Sequence, residues 1–389
     1  MNDQYTAEYR LVRLLHAFLN KLAFDDTDID GIEAVVEAGF RQDMAPLTFC
    51  AVKDLPGFKA HPRFSEWQQR FLNDMMRSEI QLSEYRNLVD YLCENGVEIL
   101  PLKGVEIKQL YPSPVLRVMS DVDLLYKGIS SKQLSKLMTA FGYTEKSIET
   151  AHHDVYHKKP CMNIEMHRKL VDDDSPYTAC LEHFSANKIP DAHTPHLYHC
   201  RPEDLYIHVI VHAAKHLTSS GLGVRPLCDV YILNKAFAAS WDETYIREML
   251  NKADLNAFSD KMTGLAQKWF GDGMPDFEKE DERFFFTGGT YNSNMTKTKW
   301  EYAQSGKHSR VSYILSKVFQ PLVTMQSAYP VLRKAPFLLP VFWLVRCFEV
   351  LFHRRNKITE AVTIGKSDRE DIEYASRIIT AFGLNRHGT

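Results

Sequence analysis

The sequence predicts an α+β protein. A small mixed β-sheet carries helices on one face and sits between an N-terminal helical segment and a C-terminal helical domain. Three observations predict it. Long stretches place apolar residues at helical spacing, as in Leu11, Leu14, Leu15, Phe18 and Leu19. Short segments such as Val97-Glu98-Ile99-Leu100 and Ile164-Glu165-Met166-His167 have strand character. Between residues 97 and 170 the segments follow one another as strand, helix, strand, helix and hairpin, an order that suits a small mixed sheet covered on one face.

In chain order, residues 5–20 and 28–38 read as two helices. Residues 64–94 form a long helical pattern with few breakers, stopped by Asn95-Gly96. A strand over 97–102 leads to Gly104, which opens a helix running to about Tyr111, and Pro112-Ser113-Pro114 turns the chain into an acidic strand. Residues 131–141 are helical and stop at Gly142. Strands at 155–158 and 161–167 flank Lys159-Pro160 as a hairpin. Helices are expected at 202–217, 228–238, 241–252 and 255–270, then a loop-rich junction over 271–300, rich in Gly, Asp, Asn and Thr. These elements divide the chain into a helical segment (1–95), a sheet-bearing core (96–172) and a helical domain (173–389). The most apolar stretch, 337–352, is interrupted by Arg346 and Glu349 and is too short to span a bilayer, so it reads as a buried helix and no transmembrane segment is expected.

The 389 residues are 44% hydrophobic and 25% charged, ordinary for a globular protein, with a net charge of −3. No field of positive charge points to long nucleic acid as a partner. The balance favours a small-molecule, nucleotide or protein substrate. Seven cysteines without a CxxC pair read as reduced thiols. Met1-Asn2-Asp3-Gln4-Tyr5 lacks the basic start and apolar core of a signal peptide, and a cytoplasmic location is expected.

The chemistry concentrates in Arg117-Val118-Met119-Ser120-Asp121-Val122-Asp123-Leu124 and in Ile164-Glu165-Met166-His167. Alternation puts Asp121 and Asp123 on one face of a strand and Val122 and Leu124 on the other. It likewise puts Glu165 with His167, opposite Ile164 and Met166. If the two strands are neighbours, three carboxylates converge and repel one another unless a cation sits among them. Oxygen-only ligands favour Mg²⁺ or Mn²⁺ over zinc. Two-metal phosphoryl transfer requires such a layout. Each acid also has a plainer role, as a solvated strand acid for Asp121 and Asp123 and as a cross-strand ion-pair partner for Glu165. His167 reads as a hydrogen-bonded neighbour.

Leu102-Lys103-Gly104, then Arg117, Ser120, Asp121 and Asp123, then Glu165, resemble the nucleotidyltransferase superfamily of the DNA polymerase β type. More narrowly, they resemble its branch of uncharacterised bacterial nucleotidyltransferases. His212-Ala213-Ala214-Lys215-His216, Val224 to Asp229, Tyr329-Pro330 and Pro340 to Trp343 extend the resemblance over most of residues 65–350. It implies a metal-dependent enzyme that moves a nucleoside monophosphate from a nucleoside triphosphate to an acceptor hydroxyl and releases pyrophosphate. Asp121, Asp123 and Glu165 would be catalytic and would hold Mg²⁺ or Mn²⁺. Lys103, Gly104, Arg117, Ser120 and Lys215 would contact the nucleotide. The reaction would occur in a cleft between the core and the helical domain.

The superfamily usually has Gly-Ser where this chain has Gly104-Val105, so a hydroxyl contact to phosphate is missing and Lys103 is an alternative by charge. Lys103 reads equally well as an exposed strand-end lysine. Arg117 suits phosphate or a brace for the acids. Ser120 suits a loop cap, and Lys215 a solvated helix face. Asp229 reads first as a helix N-cap and second as a general base. His208, His212 and His216 recur every four residues on one helix, but without an accompanying acid they read as cleft-lining rather than as a zinc site. Two other functions fit the same chain less well. One is a noncatalytic nucleotide- or partner-binding protein retaining the fold, and the other is a metal phosphohydrolase using the histidines.

Overall fold

A computed structural model describes residues 6–24, 29–150, 152–173, 175–219, 221–271, 274–287, 319–353 and 368–384. The chain parts into two compact units, Met1–Ala214 with Leu222–Thr290, and Lys215–Gly221 with Tyr291–Thr389. The first unit opens with α1 (Thr6–Asn20), α2 (Ile32–Arg41), α3 (Ala45–Val52) and α4 (Phe64–Glu94). α4 ends where the sequence places its stop, with Gly96 in the left-handed region at φ 76°.

The sheet follows as β1 (Glu98–Pro101), α5 (Lys103–Lys108), β2 (Val122–Lys127), α6 (Ser131–Ala140), β3 (Thr144–Thr150), β4 (His153–Lys158) and β5 (Met162–His167). Its strand order is β1-β2-β5-β4-β3. β2 and β5 run parallel at the centre, and the other pairings are antiparallel. The mixed sheet expected from the sequence is therefore present, with one strand more than expected at the β3 edge. Val122, Leu124 and Tyr126 of β2 and Met162, Ile164 and Met166 of β5 point into one core with Leu88, Val89 and Leu92 of α4 and Leu134 and Met138 of α6. All are buried, and each contributes on the order of 1.5–3 kcal/mol by leaving water. α6 begins with a full capping box, in which the Ser130 side chain and Gln133 satisfy each other's backbone N–H groups.

A two-stranded ribbon, β6 (Ile189–Pro190) and β7 (Tyr198–His199), precedes α7 (Pro202–Ser219), α8 (Val224–Phe237), α9 (Glu243–Asn251), α10 (Asn256–Phe270) and α11 (Glu280–Thr287). α11 falls inside the stretch expected to be loop-rich, and residues 288–300 of that stretch lie outside the described residues. In the second unit, the apolar stretch near the C-terminus does form a helix, Leu339–His353. Over its described side chains it is not the buried helix the sequence suggests, because Val341, Leu344 and Val345 are exposed. Among the described residues, no helix is long and apolar enough to cross a membrane.

Candidate active site

The face of the sheet opposite the α4–α6 core carries the acids. Parallel pairing of β2 with β5 sets Asp123 directly across from Glu165, and Leu125 across from His167. β4 then adds Val155 opposite Glu165 and His153 opposite His167. Side chains directly opposite in neighbouring strands share a face, so Asp123, Glu165, His167 and His153 gather on one patch. Asp121 lies one residue before β2 begins.

Asp123 is the best-held of the acids and only 6% exposed. Its Oδ1 accepts from His167 Nε2 at 2.9 Å, and its Oδ2 is 3.0 Å from the Lys103 ammonium. Lys103 arrives there for a backbone reason. β1 is antiparallel to β2, and the Leu102 N–H donates to the Asp123 carbonyl at 3.0 Å, which sets the next side chain beside Asp123. Burial alone would raise the Asp123 pKa, but Lys103 and His167 outweigh it and hold the carboxyl well below the ordinary range.

The other two acids respond in the opposite sense. Burial, then the charges of Asp123 and Asp121, push Glu165 up to about 7. Burial and Asp123 also raise Asp121, against the pull of Lys103 and Arg225. Asp121 and Glu165 therefore feel the charge of Asp123, as closely grouped carboxylates do. Their oxygens suit a hard divalent cation.

Imidazoles accompany them. Nε2 of His167 and Nε2 of His153 lie 3.6 Å and 3.7 Å from the same Glu165 Oε2. Asp123, Glu165 and His167 each offer a ligand atom within 4.8 Å of the others, and so do His152, His153 and His167. The patch thus holds His153 and His152 beside the acids, in addition to the His167 that alternation already places with Glu165. Single-strand alternation cannot reveal His153 there, because it joins the face only through β4–β5 register.

The remaining expected residues fall in several places. Gly104 sits in α5 where a Cβ would meet Met119 Sδ at 3.0 Å and Arg117 Nη1 at 3.4 Å, so its lack of a side chain lets α5 approach the loop that enters β2. Arg117 is engaged by Asp229, Nε to Oδ1 and Nη2 to Oδ2, both at 2.7 Å, and Tyr111 donates to Oδ1 at 2.8 Å. Asp229 is 5% exposed and lies within α8, whose N-cap is Gly223, so it is a buried ion-pair partner and not a cap. The sequence gives no signal for this pair, whose members are 112 residues apart.

Ser120 is exposed and lines a cleft of about 120 Å³ together with Arg70, Arg77, Ser78 and Arg225. Lys215 is exposed on α7 and belongs to the second unit. His208 is buried and stands edge-on to Phe184, with ring centroids 5.2 Å apart.

No curated protein and no solved structure matches the chain. The family model described as "Uncharacterised nucleotidyltransferase" matches residues 30–271, a span holding all five strands of the sheet, every acid of the patch and helices α2 to α10. With more than half of its length matched, and the acids paired across β2 and β5, the chain belongs to this nucleotidyltransferase family.

Proposed function

We propose that the protein transfers a nucleoside monophosphate from a nucleoside triphosphate to an acceptor hydroxyl, with Asp121, Asp123 and Glu165 as the catalytic acids and Mg²⁺ or Mn²⁺ as cofactor. The observation that carries this reading is the register pair Asp123–Glu165 in parallel strands, with Asp121 two residues away. In the reaction the acceptor oxygen forms a bond to the α-phosphorus, the bond from that phosphorus to the bridging oxygen breaks, and pyrophosphate leaves with the electron pair. Bound between the acids, the cation supplies charge neutralisation of the triphosphate and a lower pKa for the hydroxyl.

The chain's own residues have separable tasks. Asp121 and Asp123, close together at the start of β2, fix where positive charge and triphosphate meet. Glu165 faces them and takes the hydroxyl proton. Lys103 already lies at Asp123 and carries a second positive charge to the same place. Because this chain has Val105 instead of a hydroxyl residue after Gly104, and Val105 is 3% exposed in the core, charge from Lys103 takes over part of the phosphate binding. Arg117, tied to Asp229, steadies the loop that leads to Ser120 and Asp121.

Lys103→Ala is expected to weaken triphosphate binding far more than nucleoside binding. A charge-assisted contact contributes about 1.5–3 kcal/mol, and a nucleoside has no phosphate to lose it with. Calorimetric titration with ATP and with adenosine measures both, and equal losses for the two ligands would refute the assignment.

Incubation with labelled ATP, GTP, CTP and UTP, Mg²⁺ or Mn²⁺, and cell extract tests the reaction itself. Label moved onto an acceptor, with pyrophosphate released, is the expected result. Release of inorganic phosphate alone would turn the assignment to hydrolysis, and binding without turnover would turn it to a noncatalytic protein.

A further inference from the structure

Three imidazoles on an acidic sheet face need a reason. His153 is brought opposite His167 by β4–β5 pairing, and His152 comes from the residue just before β4. The three rings pack with centroids 4.8, 5.0 and 5.6 Å apart. One ligand nitrogen of each lies within 4.8 Å of the other two. The rings do not serve the apolar core, which lies on the other side of the sheet.

Two further features match what a metal-binding imidazole requires. His152 Nδ1 lies 3.0 Å from Asp172 Oδ1, the kind of carboxylate contact that orients a ligating ring. His167 hydrogen-bonds through Nε2 to Asp123, and its Nδ1 is buried with no hydrogen-bond partner. Glu165 Oε2 lies 3.7 Å and 3.6 Å from Nε2 of His153 and His167, so the imidazoles adjoin the acid proposed to take the hydroxyl proton.

We propose that His152, His153 and His167 form a site for a divalent transition metal such as Zn²⁺ or Co²⁺. Imidazole nitrogen binds these ions in preference to Mg²⁺, whose chemistry favours oxygen. The site adjoins Asp123 through His167, so the sheet face offers an oxygen-rich position at Asp121 and Asp123 and a nitrogen-rich one at the histidines. The face would then hold two kinds of cation, an exchangeable Mg²⁺ or Mn²⁺ at the acids and a retained transition metal at the histidines. Asp172 positions His152 without touching the metal.

The test is metal retention by the full-length protein. Protein stripped with a chelator, loaded with Co²⁺ or Zn²⁺ and gel-filtered in a large excess of Mg²⁺ should keep one equivalent. The Co²⁺ form should show the visible absorption bands of a nitrogen-ligated ion. His152→Gln and His153→Gln should lose both. Asp172→Asn changes a side chain that is 51% exposed, so the fold tolerates it. It should weaken affinity by about 10–100-fold, the usual effect of losing the carboxylate that orients a ligating imidazole.

No retained metal, or retention unchanged in these three variants, overturns the site. Should His153→Gln fail to fold, His152→Gln and Asp172→Asn still decide. The inference rests on the reading of this face as a cation site, but the two can fail separately. Co²⁺ bands without label transfer count against the transfer reaction alone. Transfer supported by Mg²⁺, with no Co²⁺ or Zn²⁺ retained, overturns the histidine site alone.

Discussion

Asp121→Asn is expected to abolish label transfer while leaving the melting temperature equal to or above that of the wild type, whereas Asp123→Asn loses activity and stability together. The two acids are alike in sequence and differ in surroundings. Asp121 carries a charge that burial and Asp123 disfavour, so neutralising it removes repulsion. Asp123 is gripped by Lys103 at 3.0 Å and His167 at 2.9 Å, and an amide there would leave the Lys103 ammonium, itself largely buried, without its partner. That loss is about 1–3 kcal/mol.

The sign with pH follows from the depressed Asp123 carboxyl. Its stabilising contribution is complete above the ordinary carboxylate pKa of about 3.9 and is lost as pH falls below it. The gap between wild type and Asp123→Asn should therefore narrow in acid. Transfer should fall by at least roughly 10²–10³-fold in either variant, the scale for removing one preorganised charge-stabilising group. Melts with and without Mg²⁺ plus nucleotide complete the test. A ligand-induced shift as large in both variants as in the wild type would sink the assignment of these acids.

The largest effect on stability should come from a residue outside the acid patch. Asp229→Ala is expected to cost about 3–5 kcal/mol, because it takes the bidentate carboxylate away from a largely buried guanidinium. Arg117 and Asp229 side chains are 10% and 7% exposed, and both guanidinium–carboxylate bonds measure 2.7 Å. The Tyr111 hydroxyl loses its acceptor in the same substitution. Urea denaturation of Arg117→Met, Asp229→Leu and the double variant Arg117→Met/Asp229→Leu gives a double-mutant cycle. The double variant should recover most of the loss, since an apolar pair of similar volume often replaces a buried ion pair at little cost. A single-variant loss within about 0.5 kcal/mol of wild type, the range of an ordinary surface substitution, would remove the structural role given to the pair.

What the sequence could reveal depended on whether the information was local. The bounds of α4 are legible because a long amphipathic pattern ends at a glycine whose conformation stops helices. The two-faced character of β2 and β5 is legible because alternation needs only one strand. β3 was not, since Thr144-Glu145-Lys146-Ser147 is polar on both faces and lies at the sheet edge, where alternation is not enforced. α3 was missed for the opposite reason. Ala45 to Phe49 and Val52 are all buried, so the helix has no polar face to give it a period.

The site divides in the same way. The acids follow from single-strand patterns. The companionship of His153 with His167, and of Arg117 with Asp229, exists only through pairings between distant segments.

The central parallel pairing also ties inheritance of the chemistry to inheritance of the core. Ile164 and Met166 sink into the interior in the same register that lifts Glu165 and His167 onto the opposite face. A slip of one residue would exchange the two sets, driving a carboxylate and an imidazole into oil and two greasy side chains into water. Misregistered chains are therefore penalised by solvation before any reaction is attempted. Mutational drift that preserves the greasy rows of β2 and β5 carries the acids along with them, so the placement of Asp123 against Glu165 is guarded by residues that never touch a substrate.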